Sequence, residues 1–233
     1  MLEKLEKRIQ EKANSEKSKV MQKFFKIGMG QYGEGDIFLG LTVPEQRKIA
    51  CDFLDLSFDD IKKLLNSNIH EKRLVGLLIL VERFKKSDEK NRNRIYNFYL
   101  KNINRVNNWD LVDLSADKIV GIFLLNKNKR ILYWLAKSDS LWERRISIIS
   151  TLEFIRHAKF TDTFKISEEL INDKQDLIHK AVGWMLREVG KKNTTLLENF
   201  LKKHYKNMPR TMLRYSIEKF KESKRKKYLK GEI

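Results

Sequence analysis

TVPEQRKIACDFLDLSFDDIKKLLNS, residues 42–67, contains the start signals of two consecutive helices. Thr42 and Glu45 have the spacing of a capping box and Pro44 sits at an early helical position, so a helix is predicted to start here and run to about Leu56. Ser57 then serves as the N-cap of the next helix. Two helices joined by a turn of a few residues pack side by side, and this pattern recurs outward along the chain. Helical periodicity is read over about 17–27, 69–86, 91–104, 108–125, 128–137, 140–158, 161–172, 176–190, 194–205 and 209–220, followed by a short final piece. No run alternates well enough to predict a sheet. The expectation is an all-α chain, a single domain over 1–233 laid out as an α-solenoid of HEAT-like helical repeats, with a compact bundle as the alternative.

The only clear interruption is GMGQYGEGDIFLG, residues 28–40, which holds five of the ten glycines. It contains G-x-G-x-x-G at Gly28, Gly30 and Gly33, but a dinucleotide-binding turn needs a strand before it. A helix is predicted there instead. The stretch is read as a loop or small hairpin inserted between the first helices.

Charge narrows the partner. With 49 Lys+Arg against 31 Asp+Glu the formal net charge is +18, and the isoelectric point is about 9.8. That excess points to a polyanion, of which nucleic acid is the commonest. From residue 191 onward the count is 14 Lys+Arg against 4 Asp+Glu, which suits a solvated face or a phosphate-tracking patch. Cys51 is the only cysteine, so an intramolecular disulfide and a zinc site of paired cysteines are excluded. His70, His157, His179 and His204 are isolated in sequence, and no metal is expected. No nucleotide-binding loop or nucleophile elbow is present, and no apolar run is long enough for a membrane helix. A cytoplasmic protein without a cofactor is the reading.

Two stretches hold the candidate site residues. In LIHKAVGWMLREVGKK (177–192), helical geometry places Ile178, Ala181, Val182, Met185 and Val189 on a core face. Lys180, Trp184, Arg187 and Lys191 fall on nearly the opposite side. Trp184 then either packs on a neighbouring repeat or offers an aromatic platform between phosphate-binding cations. In VNNWDLVD (106–113), Trp109 lies at the edge of the apolar face formed by Val112, Ala116, Ile119, Val120 and Phe123, and Asp113 is one turn further on. Asn107 or Asn108 can cap this helix, and Asp110 favours its positive end.

Taken together, FLGLTVPEQR (38–47), VNNWDLVDLSA (106–116), LWERRISIIS (141–150) and AVGWMLRE (181–188) resemble the AlkD-like superfamily of bacterial DNA alkylation repair proteins. The resemblance implies a monomeric, curved stack of helix pairs with a basic concave side for duplex DNA, nucleoid-associated when bound. It implies a DNA glycosylase that excises N3- and N7-alkylated purines without drawing the base into a protein pocket. By motif, Trp109, Asp113 and Trp184 are its catalytic-site residues. Arg145 and Arg47 are implied DNA contacts, as is Phe24 or Phe25 in place of an N-terminal aromatic. Related branches of the superfamily keep the fold but bind branched or damaged DNA with little or no excision, and this is the alternative.

Overall fold

The computed structural model describes residues 1–233 and is helical throughout, the one extended pairing being an isolated bridge between Ile37 and Ile69. No helix is long and apolar enough to cross a membrane. The chain divides into two compact units, residues 1–115 and 116–233.

The first unit contains α1 (Leu2–Glu11), α2 (Ser15–Phe24), α3 (Val43–Asp52), α4 (Phe58–Leu65), α5 (His70–Lys86), α6 (Glu89–Lys101), a 3₁₀ turn (Ile103–Arg105) and α7 (Trp109–Asp113). The predicted caps form: the Thr42 N–H and hydroxyl both donate to Glu45 Oε2, and Ser57 Oγ accepts from the Asp60 N–H. At the centre lies α5, whose Leu74, Val75, Leu77, Leu78, Ile79, Leu80 and Val81 are buried on every side. A helix apolar all round must be enclosed, and α1, α3, α4, α6 and α7 pack around it. Each such buried side chain stabilises the unit by roughly 1.5–3 kcal/mol.

The second unit runs through a π-helical turn (Asp117–Gly121), α8 (Ile122–Leu124), α9 (Arg130–Ala136), α10 (Leu141–Arg156), α11 (Thr161–Glu169), α12 (Asp176–Lys192), α13 (Thr194–His204), α14 (Arg210–Ser216) and α15 (Glu222–Lys230). Here α10 packs on α9, α11 and α12, while α12 packs on α13 and α14. Successive helix pairs therefore layer α10, α12 and α14 in order, the arrangement expected of helical repeats. Gly183 permits the last contact. A Cβ there would lie 2.6 Å from the Met212 carbonyl oxygen.

Several boundaries differ from expectation: the helix expected to run to about Leu56 stops at Asp52, and the one expected over 161–172 stops at Glu169. The helix expected over 17–27 stops at Phe24, and Lys26 takes the left-handed region at φ 51°. The helix expected over 209–220 stops at Ser216. Over 108–125 a single regular helix was expected, but the regular turns of α7 end at Asp113 and the wider π turn follows at Asp117. In that turn the buried Asp117 carboxylate is held by Lys118 at 2.8 Å and Arg156 at 2.9 Å. Apolar periodicity locates the buried face but does not distinguish i→i+4 from i→i+5 hydrogen bonding.

Candidate functional site

In the first unit a cavity of about 390 Å³ opens between α2, the 38–43 segment and α7. Its wall is mainly apolar, with Val20, Met21, Phe24, Phe25, Phe38, Leu41, Val43, Trp109 and Leu114 contributing, and Gln46, His70, Glu71, Asp110 and Asp113 add polar groups. Asn108 caps α7, its Oδ1 accepting the Trp109 N–H at 2.8 Å. Because α7 is only five residues long, that cap sets the direction of both Trp109 and Asp113.

The Trp109 indole rests on a ring assembly. Phe25 lies parallel to it at 5.0 Å between centroids, and Phe24 meets it edge-on at 5.7 Å. Phe25 in turn stacks on Phe38 at 4.7 Å. The two phenylalanines divide the roles that the motif left open between them. Phe25 is buried under the indole, whereas Phe24 is 63% exposed.

Beneath the rings is a buried polar cluster that has no sequence signature. His70, the first residue of α5, directs Nε2 to Asp110 Oδ2 at 2.8 Å and Nδ1 to Asp36 Oδ2 at 3.3 Å. Arg73 donates to Asp36 Oδ1 at 2.6 Å and to the Ser67 carbonyl at 2.9 Å. His70 therefore is not an isolated histidine in the fold. Burial by itself would lower its pKa, but the Asp110 charge and hydrogen bond and the Asp36 hydrogen bond outweigh this and raise it to about 8. Burial likewise pushes Asp36 up, and the His70 and Arg73 contacts more than reverse it, leaving its pKa below the ordinary value. Asp110 also accepts the Leu111 N–H at 2.8 Å, so the helix-start role read from sequence is joined by an ion pair. Nearby, Glu71 accepts the N–H groups of Leu39 at 2.9 Å and Gly40 at 2.8 Å, tying the end of the glycine-rich stretch to α5. That stretch is a series of turns and not a hairpin. Gly40, at φ 90°, lies so close to Asn14 and Ser18 of the α2 start that no side chain fits.

The remaining candidate in this unit is Arg47, on α3, which pairs with Glu82 at 3.4 Å. In the second unit, Ile178, Ala181, Val182, Met185 and Val189 are all buried, as the helical geometry of α12 required. On the other side Trp184 is half-buried and its indole N–H donates to Glu188 Oε1 at 3.2 Å. Lys191 also pairs with Glu188 at 2.7 Å, Lys180 with Asp176 at 2.7 Å, and Arg187 with Glu218. Arg145, on α10, is buried and donates to the Leu177 carbonyl at the start of α12.

The fold and cavity define a class: a strongly basic, all-helical protein with an aromatic-walled pocket that carries a carboxylate. Residues 5–220 match the family model described as DNA alkylation repair enzyme, and the chain belongs to that family. Membership supports a role in DNA repair, with DNA as the partner. Among solved structures the chain is similar to that of a predicted DNA alkylation repair enzyme from Enterococcus faecalis, at 16% identity and a TM-score of 0.68. The similarity covers 90% of this chain and 97% of that one, and it establishes the shared fold. No curated protein matches the chain.

Proposed function

We propose that the protein is a DNA glycosylase that hydrolyses the N-glycosidic bond of N3- or N7-alkylated purines in duplex DNA. The observation that supports this reading most is that Trp109 and Asp113, one helical turn apart on α7, both line a mainly apolar cavity.

The chemistry asks little of the protein. Alkylation at N3 or N7 leaves the purine positively charged, so when the bond from sugar C1′ to the base breaks, its electron pair neutralises the ring and the base departs without a general acid. C1′ becomes cationic. Asp113 stabilises that oxocarbenium character and orients a water, which adds to C1′ and releases its proton to solvent. Trp109 offers a π face to the cationic nucleotide and Trp184 offers one to the DNA, each contact worth on the order of 0.5–2 kcal/mol. Arg47, Arg145, Lys180, Arg187 and Lys191 serve the phosphates, and Phe24 contacts the bases. No step requires a metal or cofactor, and the protein acts as a monomer.

The test is base release from duplexes carrying N7-methylguanine or N3-methyladenine, with wild type and Asp113→Asn compared. Release by the wild type alone is expected. Equal release by both proteins, or none by either, overturns the catalytic reading. The second reading, a non-catalytic binder of branched or damaged DNA, is favoured by the exposure of Phe24, which lies between Lys23 and Lys26, and of Met29, at 94%. Apolar side chains flanked by cations suit disrupted base steps. Tight binding to a four-way junction together with no release from either lesion would select it.

A further inference from the structure

We propose that His70 is the positioning residue of the site, holding the first turn of α7 and thereby the Trp109 indole and the Asp113 carboxylate in working geometry. The inference rests on the glycosylase reading for its effect on rate, and on geometry alone for its effect on Trp109.

The imidazole reaches α7 by two routes. The first is polar: Nε2 meets Asp110 at 2.8 Å, and Asp110 is the residue after Trp109 and three before Asp113. The second is through rings. Phe38 stacks on the imidazole at 4.6 Å between centroids, Phe25 contacts it at 5.0 Å, and Phe25 lies parallel to Trp109 at an angle of 9°. One side chain thus touches both the backbone anchor of α7 and the support on which its tryptophan lies. Asn108, the α7 cap, extends the cluster, its Nδ2 donating to Asp36 Oδ2 at 3.4 Å.

The charged groups facing the imidazole are few. Asp110 comes from α7, Asp36 from the loop before α3, and Arg73 from the next turn of α5. Glu71 is adjacent in sequence, but its carboxylate turns to the Leu39, Gly40 and Leu41 N–H groups. With His70 protonated, two carboxylates meet two cations. After deprotonation Arg73 is the one cation of the cluster, its hydrogen bonds go to Asp36 and the Ser67 carbonyl, and the attraction that draws Asp110 onto α5 weakens. The raised pKa of about 8 places this change in an accessible range. Most structural histidines carry no such link to a reacting carboxylate; here the link is three residues long.

The experiment compares wild type with His70→Gln, which keeps a hydrogen-bonding side chain but cannot be protonated, and with Trp109→Phe as the spectroscopic reference. Single-turnover release from N7-methylguanine DNA is followed from pH 6 to 9.5, alongside duplex affinity and thermal unfolding. The expected result is a wild-type rate that falls above about pH 8, and a His70→Gln rate at least ten-fold lower at pH 7 with no such limb. DNA affinity stays within about three-fold. A His70→Gln enzyme with the wild-type rate and the same alkaline limb overturns the proposal. Independently of turnover, the fluorescence difference between wild type and Trp109→Phe is titrated over the same range. A transition near pH 8 that His70→Gln lacks supports the proposal even if no lesion is released, in which case only the glycosylase reading fails. A flat wild-type titration, or the same transition in His70→Gln, overturns it.

Discussion

Phe25 lies parallel to Trp109, 5.0 Å away, and its opposite neighbours are Phe38 and His70. One face of the indole is therefore committed to the protein. Removing the support should act through stability: Phe25→Ala is expected to cost roughly 3–5 kcal/mol, the usual penalty for emptying a buried phenylalanine site. Phe24→Ala, which truncates an exposed ring, should change stability by about 0.5 kcal/mol or less. Its effect should appear in DNA affinity, where loss of a base contact is worth about 1–3 kcal/mol. Denaturant unfolding and duplex titration of both variants separate the two roles, and equal unfolding midpoints would contradict the division.

Glu71 is fully buried and receives the N–H groups of Leu39, Gly40 and Leu41. Deleting the carboxylate in Glu71→Ala strands these donors in the interior, at about 1–3 kcal/mol for each that finds no water. Glu71→Gln retains one acceptor oxygen and should be milder. Hydrogen exchange of the Leu39 to Leu41 amides checks this directly: they should be protected in wild type and exchange much faster in Glu71→Ala, with Glu71→Gln between.

Much of this organisation was legible in sequence because it depends on local chemistry. The Thr42–Glu45 and Ser57 caps are written within four residues, and the buried face of α12 follows from periodicity alone. So does the placing of Trp109 and Asp113 on one side of α7, where both line the cavity. The His70 cluster was not legible. Asp36, His70 and Asp110 are separated by 34 and 40 positions, so no spacing rule joins them, and a lone histidine before an apolar helix reads the same whether it is solvated or enclosed. The π turn at Asp117 was missed for a different reason. Its residues keep an ordinary apolar stripe, and the widening answers to packing against α10, where Gly121 approaches Ser150 too closely for any side chain.

The buried cluster also sets a pH dependence of stability. The folded pKa of His70 is about 8, above its ordinary 6.5, so protonation favours the folded state. The contribution is fully present below about pH 6.5 and is lost as pH rises through 8. On the scale of 1.36 kcal/mol per unit it amounts to ~2 kcal/mol. Asp36 runs the other way: its lowered pKa gives stability that is present above the ordinary carboxylate range and disappears in acid. Unfolding free energy measured between pH 6 and 9 should decline for wild type and stay nearly level for His70→Gln. A wild-type curve that rises over this interval would contradict the protonated assignment.

The cations of α12 give the last prediction. Lys180 and Lys191 sit on the same side as Trp184, and both are paired in the free protein, with Asp176 and Glu188. Those pairs are no obstacle to phosphate binding, because ion pairs between exposed side chains are worth about 0–1 kcal/mol and are weakened by salt. A DNA phosphate can replace either carboxylate at little cost. If each lysine meets one phosphate, then Lys180→Ala and Lys191→Ala should each reduce the slope of log K against log salt by about 0.9. Affinity should fall alike for plain and alkylated duplex, since phosphate contacts do not distinguish the lesion. The unfolding midpoint should hardly move. Asp113→Asn should show the reverse pattern, with an unchanged salt slope and no base release. Fluorescence anisotropy at several salt concentrations reads all three variants, and a wild-type slope in both lysine variants would remove this face of α12 from the DNA contact.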